Sequence, residues 1–167
     1  ANEGNSDAML LYGQMLRNGD CIKKNKAKAS HYFKLSADKG NSEAMLNYAI
    51  MLKNSEGVPI NQKEAAYYFQ LSANNGNSKA MFYYANMLYN GEGVEIDKKE
   101  AAHYFLLSAN NGNSMAMNNY ANMLNTGEGV SVNKKEAANF YKLSADNGNS
   151  IAMINYAKML ENGDGII

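Results

Sequence analysis

The chain has 167 residues, 46% of them apolar and 19% charged, a balance that folds and excludes a disordered tract. Lys and Arg number 16 and Asp and Glu number 16, so the net charge is zero, without the basic footprint of a nucleic-acid binder or of a helix drawn to an anionic membrane. No apolar run approaches the roughly 20 residues of a membrane span, and the lone Cys21 excludes an internal disulfide or a cysteine-based zinc cluster.

Self-comparison decides the architecture. Gly-Asn-Ser begins at Gly4, Gly40, Gly76, Gly112 and Gly148, a spacing of 36 residues each time, and each copy continues with any residue and then Ala-Met. A period of this size marks stacked supersecondary units rather than one globular core. The units are residues 4–39, 40–75, 76–111 and 112–147, with a half unit at 148–167. Taken in chain order through the middle copy, Ser78 is the expected N-cap of a first helix running to about Tyr89. Asn90-Gly91 stops it, because both residues tolerate a left-handed backbone. A loop, Glu92 to Ile96, leads to Asp97 (Asn25, Asn61 and Asn133 elsewhere), where an N-cap acceptor belongs. A second helix runs from about Lys98 to Asn111, and Gly112 ends it. The near-constant Asn18, Asn54, Asn90 and Asn162 read as helix caps.

In the first helix Ala80, Met81, Tyr84, Ala85, Met87 and Leu88 and their counterparts hold nearly constant, with Gly13 the exception, and at about 100° per residue they fill an arc of roughly 160°. The methionines after the constant alanines read as core filler. The opposite arc changes from copy to copy. One half therefore packs and the other faces out. In the second helix Ala101, Tyr104, Phe105, Leu107, Ser108 and Ala109 keep their type over roughly 200°. A narrow strip changes: Ser30/Ala66/Ala102/Ala138, His31/Tyr67/His103/Asn139 and Lys34/Gln70/Leu106/Lys142.

The string Ala80…Tyr84-Ala85…Leu88…Gly91-Glu92-Gly93-Val94…Asp97…Lys99-Glu100-Ala101…Tyr104…Ser108-Ala109…Gly112 resembles the Sel-1-like repeat, a relative of the tetratricopeptide repeat, over essentially the whole chain. Departures are Ala49, Ala85, Ala121 and Ala157 where most units of that family carry glycine, Ser-Ala for Ala-Ala in the second helix, Ser55 for the first loop glycine of unit two and Cys21 for the second of unit one. The resemblance implies an all-α, right-handed α/α superhelical solenoid whose first helices line a concave face. It also implies a scaffold or adaptor without catalysis and without cofactor.

The candidate partner-binding residues are those of the changing first-helix face. Leu10, Leu46, Phe82, Asn118 and Ile154 form one column. Ile50, Met115 and Tyr89 add apolar surface, and Gln14, Asn86, Asn122 and Lys158 lie one turn along. A carboxamide both donates and accepts, so it can clamp a peptide backbone, and aromatic side chains such as Phe82 and Tyr89 suit binding hot spots. The expected partner is a protein or peptide, with neither nucleic acid nor membrane. Ser36-Ala37-Asp38-Lys39 matches the Ser-x-x-Lys string of β-lactam-type serine acyl-enzymes, an alternative centred on Ser36, but the companion strings are absent and Ser36 belongs to an all-serine column. A passive spacer is the third reading. His31 and His103 share one exposed column without a joining ligand and imply no metal. Gly91-Glu92-Gly93 lacks the preceding strand of a phosphate loop.

The chain reads as a piece of a longer protein. Ala1-Asn2-Glu3-Gly4 matches the tail of a second helix, and no signal peptide stands at the start. The constant face of the last first helix (Ala152, Met153, Tyr156, Met159, Leu160) is expected to be covered by another copy of the chain or by the rest of that protein. A lone thiol fits a reducing compartment such as the cytoplasm.

Overall fold

The computed structural model describes residues 5–164; Ala1 to Gly4, matched above to a helix tail, lie outside the described residues, as do residues 165–167. Among the described residues there are nine α-helices and no strand: α1 (Ser6–Asn18), α2 (Lys26–Asp38), α3 (Ser42–Asn54), α4 (Gln62–Asn74), α5 (Ser78–Asn90), α6 (Lys98–Asn110), α7 (Ser114–Thr126), α8 (Lys134–Asp146) and α9 (Ser150–Asn162). Two compact units form, one of residues 5–80 with 92–94 and one of residues 81–91 with 95–164. In the first, α1, α2, α3 and α4 pack consecutively, and in the second α6, α7, α8 and α9 do the same, with α5 joined to α6 through the Tyr84–Tyr104 and Phe82–Phe105 ring contacts.

The local signals act where the sequence put them, with one shift. The first helices are capped by the asparagine of Gly-Asn-Ser, one residue earlier than expected. Asn41 is extended and its Oδ1 accepts the Ala44 N–H at 3.0 Å, as Asn77 Oδ1 accepts that of Ala80 at 3.1 Å. Ser42 and Ser78 are instead the first helical residues. Asn41→Ala is therefore expected to cost about 1 kcal/mol in urea unfolding and Ser42→Ala only a few tenths; the opposite ranking would return the cap to serine. The second helices are capped by Asn25, Asn61, Asp97 and Asn133 as expected. Asn18, Asn54, Asn90 and Asn162 are last helical residues rather than caps. The cap is the residue after each, at positive φ (Gly19 at +90°, Ser55 at +56°). The second helices end as predicted: Gly40 at φ +89° donates to Ala37 O, and Asn41 donates back to Ser36 O.

The constant arc of the first helices is buried in α3, α5 and α7. Against it stand the phenyl rings of the second helices, with Phe33, Phe69 and Phe105 among the largest fully enclosed side chains. Gly13 is explained here, because a methyl added to it would lie 2.8 Å from the Phe33 ring. The aromatic pair within each repeat meets edge to face: Tyr12–Tyr32, Tyr48–Tyr68, Tyr84–Tyr104 and Tyr120–Phe140, with centroids 4.8 to 5.0 Å apart. Burial, and then the charge of Glu64, pushes the Tyr48 hydroxyl up to about 12; burial and then Glu100 do the same to Tyr84. A folded-state value above the unfolded value of about 10 favours the protonated fold. Unfolding free energy should hold below pH ~10 and decline as pH rises toward about 12, measured by urea titration at stepped alkaline pH. A flat profile across that window would contradict it.

Two strips of the second helix depart from expectation. Ser30, Ala66, Ala102 and Ala138 change between copies yet are buried, because serine and alanine are both small enough for close helix approach. Lys34 is half-buried rather than outward. Its Nζ sits 5.4 and 5.5 Å from the Tyr48 and Tyr68 ring centroids and 3.1 Å from the Tyr68 hydroxyl, whose hydrogen bond holds the ammonium's pKa above its usual value. His31 and His103 are exposed as expected, each at the edge of the adjoining tyrosine ring.

Candidate functional site

On the changing face the sequence-selected residues divide by burial. In the first unit Leu10, Gln14 and Ile50 are half-buried, and Leu46, expected to face out, is enclosed at 2% exposure. In the second unit Met115 is 52% and Ile154 58% exposed, Asn122 and Lys158 are exposed, and Phe82, Asn86 and Tyr89 are half-buried. Asn118, expected outward, is only 5% exposed. It donates to Asn119 Oδ1 at 3.4 Å and accepts from Asn155 at 3.1 Å, so its carboxamide joins neighbouring helices rather than facing solvent.

Other asparagines join in the same way. Asn119 donates to Asn86 Oδ1 at 3.5 Å while Asn86 donates back to the Phe82 carbonyl at 2.7 Å, and Asn122 Oδ1 accepts from the Tyr141 hydroxyl at 2.5 Å. In the first unit Arg17 donates to Asn47 Oδ1 at 3.2 Å. These carboxamides are committed first to the fold, which leaves less of their capacity for a backbone clamp.

What the second unit does offer is a cavity of about 230 Å³ between α5 and α7, lined by Asn86, Tyr89, Asn119, Asn122, Thr126 and Glu128 and reaching the buried Phe105 and Met123. Asn86 and Asn122 stand there in the column that carries Gln14 and Ile50 in the first unit, and Tyr89 in the column of Arg17 and Lys53; the first unit has its own hollow of about 460 Å³, lined by Leu11, Gln14, Met15, Arg17 and Asn47 among others. Asn86, Tyr89 and Asn122 were legible from the changing columns; Thr126 and Glu128 were not. Glu128 belongs to the Gly-Glu-Gly loop, read as a turn only. Its carboxylate accepts from Tyr89 and pairs with Lys98 at 3.2 Å, contacts that hold its pKa below the usual carboxylate range. A second exposed surface, formed by Met115, Ile151 and Ile154, marks α7 and α9.

The serine alternative meets a geometric obstacle. Ser36 is fully buried and its Oγ donates to the Ser6 carbonyl at 2.7 Å, and Ser72 and Ser144 do the same to Ser42 and Ser114. These bonds tie α2, α4 and α8 each to the start of its own repeat's first helix. Cys21 is exposed at φ +59°. Among the described residues no three His, Cys, Asp or Glu side chains group as a metal site, and no helix is long and apolar enough to cross a membrane.

Helical hairpins repeated in register, with constant columns inside and a variable, cavity-bearing first-helix face, define a helical-repeat solenoid. The chain belongs to the Sel1 repeat family, whose model matches residues 6–41, 42–77, 78–113, 114–149 and 150–167. Among solved structures it is similar to c5321, a protective antigen present in uropathogenic Escherichia coli strains displaying an SLR fold, at 27% identity and a TM-score of 0.96 over 100% of this chain. It covers 36% of that relative's length. A Sel1 repeat protein from Oxalobacter formigenes is 26% identical with a TM-score of 0.89 over 97% of this chain and 66% of that one. The Helicobacter pylori cysteine rich protein B, at 20% identity and a TM-score of 0.62 over 81% of this chain and 97% of its own, shares the fold. Among curated proteins no sequence matches significantly.

Proposed function

We propose that this chain is a non-catalytic scaffold that binds a peptide or partner domain on the face of its first helices, with Tyr89, Asn122, Met115, Ile154 and Lys158 as contacts and the enclosed Asn118, bonded to Asn155, tying α7 to α9 beneath that face. The observation that carries this is the cavity of about 230 Å³ on that face, with the Phe105 ring at its base. Membership of a repeat family whose members generally act as protein-interaction scaffolds supports it. The cavity walls are carboxamides apart from Tyr89, Thr126 and the single carboxylate of Glu128, so salt should weaken binding only modestly, through that one charge. The exposed apolar side chains of α9, Met153 and Leu160, offer a separate place for self-association.

Peptides selected from a displayed random library against the chain test the reading. Tyr89→Ala with Ile154→Asp should weaken the selected peptides by about tenfold or more, the scale of hot-spot loss. Tyr67→Ala with His103→Ala and Asn139→Ala, on exposed second-helix positions, should leave them unchanged. Equal binding to both variants would remove the first-helix face from the account.

A further inference from the structure

The first-helix face breaks its own charge pattern at the cavity. In the first unit the last turn of each first helix sends a cation to the loop glutamate of the next repeat: Arg17 to Glu56 at 3.5 Å and Lys53 to Glu92 at 2.5 Å. Glu56 also takes Lys26 at 3.2 Å, so one loop carboxylate accommodates two cations side by side. In the second unit the corresponding last-turn residue is Tyr89, which brings a hydroxyl and no charge. Glu128 keeps Lys98 at 3.2 Å, and both Lys98 and Tyr89 engage Oε2, so Oε1 retains its acceptor capacity. This carboxylate stands at the rim of a hollow whose walls are neutral carboxamides and whose base is apolar.

We infer that the cavity accepts an arginine side chain of the bound peptide, its guanidinium taking beside Glu128 the place that Arg17 takes beside Glu56. The methylene stem lies on Phe105 and Met123, and the Tyr89 ring borders the same space. Arginine fits better than lysine. Its planar donor fork serves a carboxylate and neighbouring carboxamide oxygens at once, it is weakly hydrated, and its flat face stacks on an aromatic ring. The inference rests on the first-helix face being the peptide-binding face.

The test uses acetyl-arginine methylamide and its neutral isostere, acetyl-citrulline methylamide, titrated into the isotopically labelled chain. Saturable shifts are expected at Asn119, Asn122, Thr126 and Glu128 with the arginine probe. The citrulline probe should bind about tenfold more weakly or worse, the equivalent of one charge-assisted contact. Tyr89→Lys, which supplies the internal cation that Lys53 supplies to Glu92, should abolish the arginine response with the helical circular dichroism intact. Should that variant unfold, Glu128→Gln gives the same readout. Equal response to the two probes, an undiminished response in the variants, or no saturable response in the native chain would overturn the inference. Selected peptides that bind the first-helix face without arginine and without shifts at the cavity would do so while leaving the broader proposal standing; peptides that bind only exposed second-helix positions would remove both.

Discussion

Replacing Phe69 by alanine is expected to lower the unfolding free energy by about 3–5 kcal/mol, a large part of the whole stability of a domain this size. Phe69 has 0% exposure, and its column, Phe33, Phe69, Phe105 and Tyr141, is enclosed in each of the four repeats that have a second helix. Truncation removes the transfer free energy of the ring and leaves a cavity that rigid helices can only partly close. The neighbouring Tyr67 is 56% exposed, and Tyr67→Ala should stay within about 0.5 kcal/mol. Stacked repeats draw stability from nearest-neighbour interfaces, so loss within one repeat also loosens the next. Urea unfolding followed by circular dichroism and by tyrosine fluorescence measures both variants, and coincidence of the two probes checks that a single free energy is meaningful. Similar losses for Phe69→Ala and Tyr67→Ala would mean that the ring column is not the core.

The second large effect lies in the loops. Gly129 has φ +73°, and a Cβ there would sit 2.2 Å from the Lys98 carbonyl oxygen, which belongs to the helix backbone and cannot rotate away. Gly57 meets the backbone of Lys26 at 2.4 Å in the same way. Gly112, at φ +85°, has nothing within 4 Å of its would-be Cβ. Gly112→Ala should therefore cost only the left-handed backbone penalty of about 1–2 kcal/mol. Gly129→Ala should cost about 1–3 kcal/mol beyond that, as overpacking against a fixed neighbour does. Ser55 at φ +56° shows that this chain tolerates the left-handed conformation itself where space allows. Thermal unfolding of the two alanine variants separates the terms; equal shifts would show that conformation, not close approach, explains the loop glycine.

Much of this fold can be read in the chain because its breakers are residue-specific. A helix ending at positive φ favours glycine, with Ser55 after α3 the exception, and five copies in register reveal which positions do so. The sequence places the N-cap one residue late because asparagine and serine are both good caps and stand side by side, and only the distance from Asn41 Oδ1 to the Ala44 N–H decides between them. Constancy identified the buried half of α3, α5 and α7. Variation was a weaker guide to exposure. Leu46 and Asn118 vary and are buried, Asn118 with its carboxamide held by Asn119 and Asn155, and Ser30 with Ala66 varies within one small size class. Ser36 was correctly a packing residue, yet its bond to the Ser6 carbonyl had no signature, since that needs the two helices placed side by side. The cavity was least legible. It is walled by residues of several columns and by a loop glutamate from the following repeat, and no single column records that combination.

The central claim is that the first-helix face of the repeats is where this chain meets its partner. A chemical-shift map of the labelled chain with a library-selected peptide tests it most directly. The account predicts shifts at Tyr89, Asn122, Thr126 and Ile154 and silence at Tyr67, His103 and Asn139; shifts confined to the latter three would contradict it.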